Sequence, residues 1–163
     1  RRSHCETRAV PFTADELYAV VADVQSYSSF LPWCVESDVT YRDEERGYME
    51  ADLGIGFRFV AERYTSSVWL HENRAVFAES TDGHLFHYLR NEWHFLPTPN
   101  DPNSTTVKLA VDFAFRSPLY ASLTNAFFDE VVHRMASAYI KRAAVIKQQQ
   151  EARRRSYGGK EEE

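Results

Sequence analysis

One long apolar stripe near the C-terminus constrains the fold most strongly. Between Ser117 and about Gln149, apolar side chains recur every three or four residues: Leu119, Leu123, Phe127, Val131, Met135, Tyr139, Ala143 and Ile146. This spacing predicts an amphipathic helix. Ser117-Pro118 is a typical helix start, because serine caps free N–H groups and proline is tolerated in the first turn. A helix of roughly 30 residues is about 45 Å long and needs a large apolar surface to lie on.

The N-terminal segment predicts one strand and one or two short helices. Weak alternation over His4–Val10 indicates a first strand. The segment Thr13 to Glu16 has the sequence of a capping box, which predicts a helix ending near Gln25. Ser26 to Phe30 fits a further helical turn, and Pro32 stops it.

From Trp33 onward the apolar period changes to two, which is typical of strands. The predicted strands are Val35–Tyr41, Met49–Ile55, Phe57–Leu70, Ala75–Ser80, Leu85–Phe95 and Val107–Phe115. Gly54 and Gly56 allow a bulge or a bend. Asp82-Gly83 predicts a tight hairpin, and Pro97–Asn103 a loop.

This order of elements predicts an α+β helix-grip fold. A curved antiparallel sheet of about seven strands wraps one long C-terminal helix, and such an arrangement tends to leave a cavity between them. One domain over residues 4–149 is expected. Residues 150–163 are first basic and then acidic, and we expect them to form a disordered tail.

Composition narrows the function classes. The net charge of −5 argues against a general nucleic-acid binder, and no uncharged run is long enough to span a membrane. The chain has no apolar signal core, so we expect any targeting segment to lie outside it. Cys5 and Cys34 are too few for a disulfide framework, which suits a reducing compartment, and a single bridge between them is left open.

The sequence offers little support for catalysis or metal binding. His84 and His87 point to opposite faces of one predicted strand, and His94 lies about 33 Å from His84 along it. Cys34 has no histidine partner at a recognisable spacing. We find no phosphate loop and no dinucleotide fingerprint. We therefore predict no catalytic residue and no metal ligand.

Candidate ligand-lining residues are the apolar side chains expected between sheet and helix. They are Trp33, Leu53, Leu89, Trp93, Leu109, Val111, Phe113, Phe115, Leu123, Phe127, Val131 and Met135. Simple packing of these side chains on one another is the competing interpretation. The strand over 57–70 is ambiguous in phase, because Phe57 and Phe59 mark one face and Val60 and Val68 the other. If the second face turns inward, Glu62 and Tyr64 become polar anchors in an apolar pocket.

A second candidate surface is a membrane contact. Its predicted members are Phe30, Leu31, Trp33, Lys141, Arg142 and Lys147. The first three occupy a proline-bent connection, where solvent-facing residues are expected, so the segment is either a lip of the cavity or a loop tucked into the core. The basic end of the long helix, which continues to Arg153–Arg155, is either a solvated face or a site for anionic lipid.

Six segments resemble the mitochondrial coenzyme Q-binding proteins of the START-like, polyketide-cyclase-like superfamily. They are Asp23–Cys34, Gly56-Phe57, Glu62–Ser66, Thr81–Gly83 with Leu85-Phe86, Phe115–Leu119 and Phe127–Val132. They fall in the same order as in that family, and the similarity runs from about Cys5 to Arg142.

The resemblance implies a hydrophobic tunnel for ubiquinone or a related polyprenyl quinone. It implies a lipid chaperone that supports respiration and ubiquinone biosynthesis, in peripheral contact with the matrix side of the inner mitochondrial membrane. Ubiquinone would be a bound ligand, not a catalytic cofactor, and a homo-oligomer is possible in such a family. Pockets commonly hold about 300–1,000 Å³, so we expect an enclosed headgroup and a tail that leaves past Phe30 to Trp33.

Two other functions are kept open. A cyclase-type enzyme would need a polar cluster in the cavity, for which Glu62, Arg63, Tyr64 and Asp112 are the candidates. A ribosome- or protein-binding module is the other, because the superfamily includes bacterial relatives described as ribosome-associated.

Overall fold

A single antiparallel sheet of seven strands forms the body of the molecule. The structure, a computed structural model, describes residues 1–159. The sheet order is β1-β7-β6-β5-β4-β3-β2. The strands are β1 Arg2–Val10, β2 Cys34–Asp43, β3 Tyr48–Phe57, β4 Val60–His71, β5 Ala75–Ser80, β6 Phe86–Pro97 and β7 Thr105–Phe115. The predicted helix-grip fold is confirmed.

Two short helices follow the first strand, as the sequence predicts. Helix α1 is Ala14–Ala22, a 3₁₀ turn covers Val24–Ser26, and α2 is Tyr27–Phe30. The capping box is formed, since the Glu16 N–H donates to Thr13 Oγ1 and the Thr13 N–H donates to Glu16 Oε1, both at 3.3 Å. Helix α1 ends before Gln25, because the chain turns at Asp23 and buries Val24 in the core.

The connection between β3 and β4 differs from the prediction. Phe57 ends β3, and Arg58-Phe59 forms a two-residue turn, so the predicted strand over Phe57–Leu70 is wrong at its start. Gly54 lies opposite an irregularity in β2, between Cys34 and Glu36. Glycine is needed there, because a Cβ would lie 3.0 Å from side-chain atoms of Val35 and Glu36. The even-numbered residues of β4 face inward, which settles the ambiguous phase.

The connection between β5 and β6 is longer than predicted. Ser80 pairs with Leu89, so residues 81–85 form a loop in place of a tight hairpin at Asp82-Gly83. The Asp82 carboxylate accepts hydrogen bonds from the Thr65 N–H at 3.0 Å and from the Ser80 hydroxyl at 3.0 Å. Through these bonds the Asp82 carboxylate fixes the loop against β4.

The C-terminal helix is built from several segments. A 3₁₀ turn over Pro118–Tyr120 leads into α3 at Ala121–Phe127, a π turn at Phe128–Val132 and α4 at His133–Gly158. Ser117 caps the start, with its Oγ 3.2 Å from the Leu119 nitrogen. The prediction of disorder after Gln149 is wrong for residues 150–158, which are helical and exposed. The rest of the predicted acidic tail, residues 160–163, lies outside the described part of the chain.

The core lies between the concave face of the sheet and this helix. Phe127, Val131 and Val132 are fully buried, and the Phe127 ring packs 4.7 Å from that of Phe113 on β7. Because the stripe of the helix faces the sheet along much of its length, the space between them is where a ligand would have to be held.

Candidate functional site

A small inner cavity lies between sheet and helix, in two neighbouring compartments of about 40 and 50 Å³. Both compartments are lined by Tyr27, Leu53, Tyr64, Leu89, Asn91 and Tyr139. One compartment extends under β4 and β5 to Ser66 and Val76, and the other reaches Trp33 and Met135 beside the helix. The sequence places these residues on separate elements, and the curved sheet brings them together.

The polar groups of the inner cavity are neutral. Burial raises the pKa of Tyr27, Tyr64 and Tyr139 above the ordinary value for tyrosine, so each hydroxyl keeps its proton at neutral pH. Burial likewise raises the pKa of the Cys34 thiol to about 11. These groups offer hydrogen bonds without charge.

Two of the polar groups have hydrogen-bonding capacity to spare. Among residues 1–159, the buried Asn91 Oδ1 has no hydrogen-bond partner, and the Tyr64 hydroxyl, which can donate and accept, belongs to a side chain that lines both compartments. The Tyr27 hydroxyl differs, since it donates to the Val21 carbonyl. Tyr64 and Asn91 are therefore the groups best suited to meet the polar end of a ligand.

Glu62 faces inward but has a structural task. Its Oε1 accepts hydrogen bonds from the backbone N–H groups of His84 at 2.5 Å and Leu85 at 3.1 Å. The guanidinium of Arg116 holds the same loop, through the Gly83 carbonyl at 2.7 Å and the Thr81 carbonyl at 2.9 Å. The loop over 81–85 is thus fixed from both sides, and Glu62 does not line either compartment.

An outer groove of about 620 Å³ runs along the helix on the open side of the molecule. It is lined by Pro32, Trp33, Gly56, Phe57, Glu130, Val131, Arg134, Ser137, Ala138 and Lys141. Trp33 and Val131 line both the groove and the inner cavity. We call this pair of side chains the neck, since it forms the wall between the two spaces.

The structure assembles some of the predicted lining residues and not others. Those that line the inner cavity are Trp33, Leu53, Tyr64, Leu89, Trp93, Phe127, Val131 and Met135. Leu109, Val111 and Phe113 are instead buried in the packed core, and Phe115 and Leu123 also lie outside the lining.

Of the six residues that line both compartments, sequence reasoning missed three, namely Tyr27, Asn91 and Tyr139. Asn91 shares the inward register of Leu89 and Trp93 on β6, and this alternation is a signal that could have found it. Tyr139 belongs to the helical stripe but was assigned no ligand role.

The predicted membrane residues do not form one surface. Leu31 and Trp33 are buried, with 4% and 8% of their surface exposed, so their assignment as inserting side chains is wrong for this conformation. The reason is that the connection before β2 folds back over the inner cavity. Phe30 packs on Tyr139 with ring centroids 5.6 Å apart.

The basic members of that predicted set are dispersed. Lys141 lines the groove, and the Arg142 guanidinium lies 5.3 Å from the centre of the Phe30 ring. The Lys147 ammonium lies beside α1, 3.8 Å from Glu16. These positions extend along α4 and do not converge on one site.

The cyclase candidates are not brought together. Arg63 points to the outer face, where it pairs with Glu36 at 3.1 Å and lies 3.6 Å from Asp52. Asp112 is also on the outer face, within 2.9 Å of the Arg1 guanidinium and of the Tyr88 hydroxyl. Only Glu62 and Tyr64 face inward, so these four residues do not form one polar cluster.

Three further possibilities concern residues 1–159: a metal site, a disulfide and a membrane-spanning helix. No group of three or more His, Cys, Asp or Glu side chains in this range is arranged to hold a metal ion. Cys5 and Cys34 are both free thiols, so the bridge left open by the sequence is not formed. In the same range, no helix combines the length and apolarity needed to cross a bilayer.

A curved sheet that clasps a long helix, with a cavity between them, defines the START-like class of domains. The family model described as polyketide cyclase/dehydrase and lipid transport matches residues 10–139. The chain is 39% identical to coenzyme Q-binding protein COQ10 homolog B of Xenopus laevis over 155 residues, or 93% of this chain and 62% of that protein. The COQ10 protein of Saccharomyces cerevisiae is 32% identical, over 83% of this chain and 68% of its own length. The chain therefore belongs to the coenzyme Q-binding protein family, and it spans about 60% of the Xenopus relative and of a Drosophila melanogaster relative.

Solved structures show the same fold in more distant proteins. The Zhui aromatase/cyclase of Streptomyces sp. R1128 superposes with a TM-score of 0.76 at 20% identity, over 88% of this chain and 93% of that one. The protein CC1736 of Caulobacter crescentus gives a TM-score of 0.71 at 24% identity, over 91% and 99%. At these identities the likeness concerns the fold alone. The ribosome association toxin RatA of Escherichia coli is 29% identical, over 86% of this chain and 85% of RatA.

Proposed function

We propose that this protein binds ubiquinone, or a related polyprenyl quinone, and carries it without transforming it. The observation that carries the proposal is the inner cavity with uncharged polar groups, which only the two side chains of the neck separate from the outer groove. The names of the relatives support it, because they are described as coenzyme Q-binding proteins. A mitochondrial location at the matrix side of the inner membrane is part of the proposal, since those relatives are also named mitochondrial.

The quinone ring would occupy the inner cavity and its tail the groove. The Tyr64 hydroxyl would donate a hydrogen bond to a quinone oxygen, Asn91 Oδ1 would accept one from a hydroxyl of the reduced quinol, and the aromatic rings of Tyr27 and Trp93 would pack against the ring. The first isoprene units would lie on Phe57 and Ala138, where each buried CH₂ contributes about 0.8 kcal/mol. The rest of the tail would leave past Phe30 to Trp33.

The neck must open for this ligand to bind. A dry cavity of about 150 Å³ is known to hold benzene, and the two compartments of about 40 and 50 Å³ are too small for a substituted ring. Trp33 lies on a loop and Val131 lies in the π turn, so the two sides of the neck belong to irregular backbone. We infer that they separate when the quinone enters.

The test is the lipid content and the quinone affinity of the purified protein. Mass spectrometry of an organic extract should detect a polyprenyl quinone at a stoichiometric level. A short-tailed quinone such as decylubiquinone should bind the parent protein and bind Tyr64→Phe about three- to tenfold more weakly, the usual loss for one hydrogen bond. Tyr41→Phe removes an exposed hydroxyl on the outer face and should bind like the parent. Absence of quinone from the extract and of any binding would refute the proposal.

An interaction with the ribosome is the second candidate. RatA is similar to this chain over most of both lengths, and Arg153–Arg155 are exposed on the projecting end of α4. Co-sedimentation with ribosomes that weakens steeply with salt would favour it. Replacement of Arg153, Arg154 and Arg155 by glutamine should then abolish sedimentation and leave quinone binding intact.

A further inference from the structure

Two large apolar side chains project into solvent from the groove end of the molecule. Phe59 is fully exposed, and Leu119 is 89% exposed. We propose that Phe59 and Leu119 insert into the interfacial layer of a phospholipid bilayer and hold this end of the protein against it. This contact surface is distinct from the predicted one at Phe30 to Trp33, and it does not depend on which lipid the inner cavity holds.

Phe59 is presented by a fixed turn. Arg58 has a φ of +50°, a left-handed conformation that few non-glycine residues adopt. Its guanidinium forms an ion pair with Glu130 of the π turn, with 2.7 Å between Nε and Oε1. The pair ties the turn to the helix, and Phe59 points away from both.

Leu119 lies at the same end of the molecule as Phe59. Strands β3, β5 and β7 end there and β4 and β6 begin there, because all neighbouring strands are antiparallel. Leu119 follows β7 directly, in the 3₁₀ turn before α3. The loop over 81–85 stands between the two tips, held by Glu62 on one side and Arg116 on the other. The groove opens at this end too, next to Phe57.

The shape of this surface fits a bilayer better than a protein. The two tips are convex and stand on separate turns, and a fluid lipid layer can receive isolated convex side chains. A protein partner would need a matched hollow for each tip. Aromatic and aliphatic side chains at such tips are typical anchors in the interfacial layer.

The groove that opens beside Phe57 carries two basic side chains complementary to anionic lipid. Arg134 and Lys141 line the groove, and neither has an ion-pair partner among residues 1–159. The whole chain has a net charge of −5, so this positive charge is a local feature. Basic groups near an anionic membrane surface attract it over about one Debye length.

The test uses flotation of the protein with vesicles of phosphatidylcholine, phosphatidylethanolamine and cardiolipin. Phe59→Asp and Leu119→Asp should each lower vesicle binding about tenfold, because each removes one inserted apolar side chain. The matched control is Leu96→Asp, which changes a residue that is 54% exposed at the opposite end of β6. It should bind vesicles like the parent. All three variants should keep the parent melting temperature, since the replaced side chains are exposed.

A second measurement reports insertion directly. Tryptophan at position 59, introduced as Phe59→Trp, should give a blue-shifted difference spectrum with vesicles and should be quenched by brominated lipid. No vesicle binding by the parent, or equal binding by the parent and both aspartate variants, would overturn the proposal. So would a change from dimer to monomer caused by Phe59→Asp without vesicle binding, which would mark the tips as a contact between copies. Binding of a short-tailed quinone in solution should be the same in all variants. The membrane contact and the proposed quinone binding can therefore be refuted independently of each other.

Discussion

Glu62 carries a buried carboxylate whose two backbone hydrogen bonds hold the loop between β5 and β6. The alternation along β4 restricts Glu62 and Tyr64 to one face and suggests that both are polar anchors. Tyr64 lines the inner cavity, as an anchor role requires, whereas Glu62 lines neither compartment. The partners of Glu62 are N–H groups of an irregular loop, and no periodic pattern in the sequence reports the course of such a loop.

Removal of the Glu62 carboxylate should destabilise the fold. Glu62→Ala should lower the free energy of unfolding by about 1.5–3 kcal/mol, because two backbone N–H groups, of which that of Leu85 is buried, lose their carboxylate acceptor. Glu62→Gln keeps an oxygen acceptor and should lose less. Glu79→Ala breaks a half-exposed pair with Arg90 and should change stability by less than about 1 kcal/mol. Urea unfolding measures all three, and a Glu62→Ala protein as stable as the parent would contradict this account.

The raised pKa values of the inner cavity predict a loss of stability in alkali. Cys34 and the tyrosines at 27, 64 and 139 keep their protons in the folded state to a higher pH than in the unfolded chain, where they titrate near 9.0 and 10.0. The unfolded state therefore loses protons first, and the free energy of unfolding should fall as the pH rises above these values.

Urea unfolding at a series of pH values checks this dependence. Tyr64→Phe should flatten the decline, since it removes one group with a raised pKa, and Tyr41→Phe on the outer face should not. An unfolding free energy that stays constant between pH 9 and 11 would show that the tyrosines and Cys34 are not buried as described.

The π turn over Phe128–Val132 is an element that the spacing of the apolar stripe does not predict. The stripe predicts one regular helix, and the structure interrupts it with a wider turn beside the neck. A signal is present in hindsight, because two adjacent pairs of large apolar residues, Phe127-Phe128 and Val131-Val132, lie four residues apart. A regular helix would turn one residue of each pair away from the sheet, whereas the extra residue of a π turn keeps all four buried.

Deletion of Asp129 tests the role of this turn. Loss of one residue would let this turn close as a regular α-helix, in which Phe128 and Val131 lie about 200° apart and cannot both face the sheet. We expect a large fall in melting temperature and a loss of quinone binding. Asp129→Ala is the matched control, since 74% of the Asp129 side chain is exposed, and it should be close to neutral. A deletion variant with the melting temperature of the parent would show that the π turn does not contribute to the stability of the fold.

For the whole molecule, the sequence is sufficient to predict the antiparallel meander and the clasped helix, but not the pairing of β1 with β7. Local signals predict two elements of the fold directly: strict apolar alternation predicts β7, and the capping box predicts the start of α1. The turn at Arg58-Phe59 was missed because it contains none of the residues that usually mark turns. The size of the inner cavity was also beyond prediction, because it depends on how side chains from many elements interlock.

A closed neck predicts slow binding of the quinone. The association rate should rise with quinone concentration and then reach a plateau set by the opening of the neck. Val131→Ala shortens one side of the neck and should raise the plateau, whereas Val145→Ala on the exposed part of α4 should leave it unchanged. Stopped-flow fluorescence of the buried tryptophans measures both, and a rate that stays proportional to concentration would contradict a closed neck.

The helix end beyond Lys147 lies far from the groove, which makes the orientation of the protein on a membrane measurable. Helix α4 starts at the groove and runs for 26 residues, so its far end stands about 39 Å from that start. A fluorescent dye attached at Tyr157 would act as a ruler for the docked orientation. If Phe59 and Leu119 touch the lipid, energy transfer from this dye to a membrane acceptor stays weak, and if the arginines near the helix end touch it, transfer is strong.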